Sequence, residues 1–308
     1  MIRVGTCSWT DHKPFYPPLY ERAGGQSARL AYYSHFFSLV EVDSTYYALQ
    51  PARNLERWAA QTPPDFRFNV KAYGELTWHH RTSERRVIEP AIETHRRFSQ
   101  MVQPLRTSGK LAALHFQFAP WFDTSDAHRD YLQQLRDLYP DDQLAIEFRH
   151  RSWYSPRCWE TIRSDLATLG FVYVVVDEPQ VGRSSAPPVV AATSSQLAIF
   201  RFHGRNRATW YIKEATSSGD RFDYLYDRSE LEGWVPAIQQ ISHQVAETHV
   251  LLNNNRSNYA VINAFDFLQL LGLPMPTAPG AVAPILRERG LDVTSADPPV
   301  TQAFDVEL

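Results

Sequence analysis

Two side chains that could do chemistry lie two residues apart at the end of an apolar run. Arg201 and His203 follow Leu197–Phe200 in the stretch FRFHGR, and in a β-strand this spacing places both on one face. A guanidinium binds phosphate or carboxylate groups through two parallel hydrogen bonds, and an imidazole exchanges a proton near neutral pH. The pair therefore predicts part of a site for an anionic ligand.

Polar groups end the other apolar segments of the chain in the same way. Four segments carry two such groups at positions i and i+2, roughly 7 Å apart on one face. These pairs are Glu41 with Asp43, Asn69 with Lys71, His115 with Gln117, and Glu147 with Arg149. Buried without partners, such groups would each cost several kcal/mol, so they pair with one another or face a ligand. Any single pair could be a structural ion pair or part of a ligand site, whereas the complete ring of polar groups at the segment ends favours a ligand site.

The residue types suggest a role for each member of this ring. His203 would move a proton together with Glu41, Asp43 or Glu147. The cations Lys71, Arg149 and Arg201 would hold a phosphate or carboxylate. Further substrate contacts are expected from Asp177, Asn253, Trp9, Trp153 and Tyr46.

A divalent metal is an alternative ligand for the ring. Carboxylates and imidazoles are suitable metal ligands, but the chain has neither His-x-His nor His-Glu-x-x-His spacing. No metal-ligating residues are therefore assigned. The two cysteines, Cys7 and Cys158, predict no disulfide framework.

Eight strand–helix units in series would position the ring. The expected strands are 3–7, 39–43, 66–72, 111–118, 144–148, 171–176, 197–202 and 249–252. The expected helices are 26–37, 54–61, 90–102, 125–138, 156–169, 224–245 and 258–271, with none between Asp177 and Gln196. Buried strands alternating with helices predict a parallel sheet, and eight units predict a closed (β/α)₈ TIM-type barrel with its site at the carboxyl ends of the strands. Residues 1–271 would form this barrel, and 272–308 a Pro-rich extension.

Composition narrows the class of protein and its partners. The 308 residues carry a net charge of −3 and are 44% hydrophobic, which is typical of a soluble globular protein and does not favour a dedicated nucleic-acid binder. No apolar stretch reaches the roughly 18 residues of a membrane span, and the first residues lack a signal-peptide pattern. We expect a cytoplasmic protein that does not enter a membrane; its oligomeric state is not predictable from these features.

Nine short segments, in order along the chain, resemble the YecE-like family of uncharacterised proteins, a domain of unknown function. They include GTCSW, EVDSTYYAL, FRFNVKA, IEFRHRSWY and FRFHGR, and the match spans about residues 2–271. The resemblance implies a TIM-type barrel and no established activity. A likeness of that barrel to metal-dependent endonucleases acting on damaged DNA concerns the fold, which does not establish function. The chain departs from the family pattern at Ser8, where relatives tend to have glycine.

Three functions fit these residues. The first is a phosphoester hydrolase or related enzyme acting on a phosphate-bearing substrate, such as a nucleotide or nucleic acid. The second is a non-catalytic module that binds a nucleotide, a single strand or an anionic metabolite, for which the cations and aromatics of HGRNRATWY (203–211) are suitable. The third is an enzyme acting on a carboxylate or sugar, with Glu41 and Glu147 flanking a bond.

Overall fold

Eight parallel strands close into a barrel in the order of the sequence, with the last strand pairing with the first. The computed structural model describes residues 1–17, 25–84, 86–182, 185–212 and 218–298. The strands are β1 Ile2–Cys7, β2 Leu39–Val42, β3 Arg67–Lys71, β4 Leu111–Gln117, β5 Leu144–Glu147, β6 Val172–Asp177, β7 Leu197–Phe202 and β8 Glu247–Leu252. The predicted TIM-type barrel is confirmed.

Helices in the connections between the strands cover the outside of the barrel. They are α1 Gly25–Tyr33, α2 Ser44–Tyr47, α3 Ala52–Ala60, α4 Ile92–Thr107, α5 Asp126–Leu138, α6 Trp159–Thr168, α7 Arg228–Glu232, α8 Val235–Ser242, α9 Tyr259–Leu270 and α10 Ala283–Glu288. The large aromatic and aliphatic core lies between these helices and the strands. As expected, the described residues between β6 and β7 include no helix.

Two helices differ from the sequence prediction. Helix α1 ends at Tyr33 instead of continuing to Phe37, because the chain turns there and buries Phe36 and Phe37. The helix expected over 224–245 is split into α7 and α8. A capping box starts α7 at Asp227, and a proline in the first turn of α8 starts that helix anew.

The barrel interior is filled by the inward-facing alternate residues of the strands. Small and branched apolar side chains, such as Ala113, Ala145 and Val174, fill much of the part below the mouth, together with the hydrogen-bonded pair Asn69 and His249. A Cβ atom on Gly5 would lie 2.1 Å from the carbonyl oxygen of Leu39, so only glycine fits where β1 approaches β2. Towards the carboxyl ends of the strands the inward-facing residues become polar, which places the predicted ring inside the mouth of the barrel.

The segment after α9 packs against the barrel. Its residues Val282, Leu286 and Leu291 are buried in the same core as the barrel helices. Arg289 donates from Nη2 to Asp266 Oδ2 on α9 at 2.8 Å. The division at residue 271 stays a prediction. Within the described ranges, no helix combines the length and apolar character needed to cross a bilayer.

Candidate active site at the carboxyl ends of the strands

Arg201 lies at the centre of a buried ion cluster. Its Nη2 donates to Glu41 Oε1 and its Nη1 donates to Glu147 Oε2, each at 2.6 Å, and all three side chains are fully buried. His115 bridges the same two acids, with Nδ1 2.9 Å from Glu41 and Nε2 3.2 Å from Glu147. Strands β2, β4, β5 and β7 thus meet across the barrel axis through one guanidinium and one imidazole.

This cluster keeps both glutamates ionised. Burial alone would raise the pKa of Glu41, but the Arg201 guanidinium and the His115 imidazole hold it below its usual value. Burial is likewise overcome at Glu147, where Arg149 and Arg201 hold the pKa well below its usual range. Glu41 and Glu147 therefore act as fixed charges.

A second guanidinium extends the cluster towards the mouth. Arg149 places Nη2 2.7 Å from Glu147 Oε1 in an ion pair and donates from Nη1 to Glu178. The other carboxylate oxygen of Glu178 accepts the backbone N–H of Ala186 at 2.5 Å. Three carboxylates thus surround two guanidiniums, so neither Arg149 nor Arg201 has a charge without a partner.

His203 sits directly above this cluster. Its Nδ1 lies 2.7 Å from Nδ2 of Asn253, and its Nε2 lies 3.1 Å from Nη2 of Arg149. A guanidinium can only donate, so Nε2 of His203 accepts from Arg149 and the imidazole proton is on Nδ1, facing the Asn253 amide. Burial, followed by the charges of Arg149 and Arg201, lowers the pKa of His203 to about 3, so the ring is neutral at physiological pH.

A second pair of opposite charges lies nearer to solvent. Lys71 Nζ is 3.2 Å from Asp43 Oδ1, and their side chains are 11% and 20% exposed. The ammonium lies 5.0 Å from the ring centre of Tyr46. Burial raises the pKa of Asp43 above its usual value and outweighs Lys71. Lys71 and Asp43 are thus the charged residues of the predicted ring that a ligand reaches first.

Aromatic residues from two connections cover the mouth. After β3, His79 packs edge-on against Tyr46, with ring centres 5.1 Å apart, and its Nδ1 lies 2.8 Å from the Thr77 hydroxyl. Burial, Lys71 and Arg149 lower the pKa of His79 to about 3. After β7, the Trp210 ring lies 5.6 Å from the Arg149 guanidinium, and Phe222 lies 5.8 Å from His203. These aromatic side chains separate the inner cluster from solvent.

Most of the predicted site residues converge on this mouth, but Asp177 and Trp153 do not. Asp177 faces outward, where it accepts hydrogen bonds from Arg205 Nη2 at 2.6 Å and from Trp234 Nε1 at 2.9 Å. Trp153 stacks on Phe148 with ring centres 4.1 Å apart, beneath the outer helices. Trp9 is buried but lines a cavity beside Asp43.

Glu178 and His79 belong to the site but were not among its predicted residues. Val172, Val174 and Val176 face the barrel interior, so the next inward-facing residue is Glu178 and not Asp177. The alternation of Ala145, Glu147 and Arg149 on the neighbouring strand could have indicated this register. For His79 the only signal was the histidine-rich stretch TWHHR in a long connection.

The arrangement limits the chemistry of the inner cluster. The hypothesis of a sugar cleaved between two acids requires an open space between Glu41 and Glu147. Instead, both carboxylates converge on the Arg201 guanidinium. Among the residues that the structure describes, no three His, Cys, Asp or Glu side chains are grouped to hold a metal ion. The inner carboxylates face arginines, which compete with a metal for the same oxygens. The outer residues of the mouth are therefore the candidates for proton transfer and ligand binding.

Comparisons with known proteins agree on one family. The family described as "Protein of unknown function DUF72" matches residues 3–285. The "UPF0759 protein YunF" of Bacillus subtilis (strain 168) is 38% identical over 275 residues, which are 89% of this chain and 95% of that protein.

Solved structures of the same family share the fold. A crystal structure of a DUF72 family protein from Enterococcus faecalis V583 superposes with a TM-score of 0.78 at 29% identity, covering 89% of this chain and 96% of the other. A DUF72 family protein from Thermotoga maritima MSB8 gives 0.73 at 33% identity, covering 88% and 99%. The expected membership in an uncharacterised TIM-barrel family is thereby confirmed: the chain belongs to the DUF72 family.

Proposed function

We propose that the barrel mouth binds a phosphate-bearing substrate and that the protein hydrolyses it. The observation that carries the proposal is the pair formed by Lys71 and Asp43. They lie 3.2 Å apart where a ligand can reach them, and a cavity of about 220 Å³ adjoins Asp43. A reachable ammonium beside a carboxyl group of raised pKa suits an anion that must also exchange a proton.

Lys71 would hold the phosphate. The described guanidiniums of the inner cluster are bound by carboxylates, whereas the Lys71 ammonium faces the mouth between Asp43 and Tyr46. Burial, followed by the charges of nearby cations, lowers the pKa values of His79 and His203 to about 3. An arriving phosphate would oppose these cations and raise both pKa values. A phosphate beside Asp43 would raise the already raised pKa of that carboxyl further, so phosphate binding should be accompanied by proton uptake.

Asp43 would move the proton. Water attacks phosphorus while Asp43 accepts its proton; the bond from phosphorus to the leaving oxygen breaks, and Asp43 returns the proton to that oxygen. Its raised pKa favours this exchange near neutral pH. Beneath it, the paired Arg201, Glu41 and Glu147 would keep the floor of the site rigid. Glu41 and Glu147 would not transfer protons, because their pKa values are held low.

The test compares Lys71→Met and Asp43→Asn with the wild type and with Arg163→Met, an exposed arginine on α6. Lys71→Met should weaken phosphate binding at least about tenfold in titration calorimetry. Asp43→Asn should keep binding but lower turnover of a phosphoester panel by about 10²–10⁴-fold. Calorimetry in buffers of different ionisation enthalpy would detect the proton uptake. If phosphate does not bind and the panel is untouched, the proposal fails.

A non-catalytic binding module is the second candidate. It is favoured by the ion pairs of Arg149 and Arg201 with glutamates, which resemble a structural floor more than a poised catalytic centre. A module of this kind would bind phosphate compounds through Lys71 and turn none of them over. Asp43→Asn would then leave both binding and the absence of turnover unchanged.

A further inference from the structure

A small cavity beside the proposed phosphate position is lined by hydroxyl, carboxylate and aromatic side chains. Its volume is about 220 Å³, and Ser8, Thr10, Asp43, Trp9 and Tyr47 contribute to its wall. Drug-sized ligands occupy pockets of about 300–1,000 Å³, so this cavity takes a single small ring. It opens where β1 and β2 end, next to Lys71.

The polar wall matches a ligand rich in hydroxyl groups. The Ser8 and Thr10 hydroxyls lie 3.0 Å apart, and the Thr10 backbone N–H donates to Ser8 Oγ at 3.0 Å. Hydroxyls both donate and accept, and the Asp43 carboxylate accepts. The hydroxyls of a sugar, which also do both, satisfy such a wall on every side. An apolar ring would form no hydrogen bonds with this wall.

Aromatic side chains complete the cavity. Tyr47 is 68% exposed at the rim, and Trp9 is only 3% exposed in the wall. Their faces are suitable for packing on the C–H face of a sugar ring, while the polar wall meets its hydroxyls. An exposed tyrosine beside a hydroxyl-lined cavity thus favours a sugar over a free phosphate ion.

Ser8 supports this assignment independently. Its φ of 100° lies in the left-handed region that favours glycine. A side chain held in such a conformation carries strain, which tends to persist where function requires it. Here the strained residue contributes its hydroxyl to the cavity wall.

We infer that the substrate is a phosphorylated sugar, with its ring in this cavity and its phosphate on Lys71. Asp43 joins the two positions, because it lies 3.2 Å from the Lys71 ammonium and also lines the cavity. The inference rests on the proposed phosphate-binding function and names the substrate class of that same site.

Titration calorimetry with ribose 5-phosphate, glucose 6-phosphate and inorganic phosphate tests the inference on the full chain. At least one of the two sugar phosphates should bind at least about tenfold more tightly than inorganic phosphate. Tyr47→Ala should remove this advantage and leave the affinity for inorganic phosphate unchanged. The matched control is Tyr211→Ala, which truncates a tyrosine that is 56% exposed and does not line the cavity; it should keep the advantage.

Three results would count against the inference, and they are distinguishable. If inorganic phosphate binds as tightly as both sugar phosphates, the sugar position is wrong while the phosphate site stands. If Tyr47→Ala and Tyr211→Ala lose the advantage equally, the ring does not occupy this cavity. If none of the three ligands binds the wild type, the proposed function fails and the inference fails with it.

Discussion

Replacing Arg201 by methionine should destabilise the protein strongly and reverse its response to pH. The substitution keeps an unbranched side chain but removes the guanidinium that two fully buried carboxylates, Glu41 and Glu147, share. Breaking a buried ion pair from one side costs about 3–5 kcal/mol, because a charge is left without its partner. With an unfolding entropy of about 2.1 cal/mol/K per residue, 308 residues convert this into a Tm lower by roughly 5–8 °C.

The pH dependence distinguishes lost charge pairing from lost packing. In the wild type the lowered pKa values of Glu41 and Glu147 stabilise the fold above the unfolded carboxyl pKa of about 4.3, and this contribution is lost as pH falls through the lower folded values. Without Arg201, burial should raise the folded pKa of Glu41, whereas Arg149 still lies 2.7 Å from Glu147. The folded variant then binds more protons than the unfolded chain, so its stability should fall as pH rises from about 4.3 to neutrality.

Denaturant unfolding at pH 5 and pH 7.5, followed by circular dichroism, measures both effects. The gap in unfolding free energy between wild type and Arg201→Met should widen at the higher pH. Arg163→Met is the matched control, because it breaks an exposed i,i+3 pair with Glu160 and should change stability by less than about 0.5 kcal/mol. A loss no greater than that of the control, or a gap that does not change with pH, would refute the reasoning.

Three further predictions concern single side chains. The pKa of His203 is lowered to about 3, so the imidazole should stay neutral at pH 5 in an NMR titration. The contribution of the neutral ring to stability should be lost as pH falls below about 6.5, the pKa of an unfolded histidine. Protonation of His203 near pH 6.5 would contradict this prediction. Lys110→Met should lower the free energy of unfolding by about 1–3 kcal/mol, because Nζ donates at 2.6 Å to each of the carbonyl oxygens of Ala59 and Thr62 at the end of α3. An unchanged midpoint of denaturant unfolding would contradict this role. Arg289→Ala should lower the free energy of unfolding by about 2–3 kcal/mol, because it removes a partner of buried Asp266. It should also increase proteolytic cleavage after residue 271. Cleavage as slow as in the wild type would show that the C-terminal segment docks without this pair.

The order of elements could be read from the sequence because its signals are local. Short β-branched and aromatic runs alternate with amphipathic segments, and eight such units are sufficient to specify the barrel. Helix ends were less predictable. The break between α7 and α8 depends on a cap at Asp227 and on Pro236. The helical spacing of apolar residues, from which the helix was predicted, contains no information about either feature.

The gathering of polar side chains at the carboxyl ends of the strands also followed from the sequence. Polar pairs such as Glu147 with Arg149 and Arg201 with His203 alternate at strand ends, so their common face was readable. Strand β6 lacked this information. Its six residues are all buried, which removes the polar alternation that would tell the inward face from the outward one. Asp177 was therefore placed in the ring instead of Glu178.

Only the tertiary structure decided which charges pair and which remain reachable. Arg201 binds Glu41 and Glu147 from strands 160 and 54 residues away, a choice among several acids that the sequence leaves equivalent. The burial that fixes this pairing also sets the pKa values of Asp43 and His203. The sequence by itself thus determined the barrel and the end where its polar groups gather. Through-space contacts and desolvation, which depend on the closed barrel, determined what those groups can do.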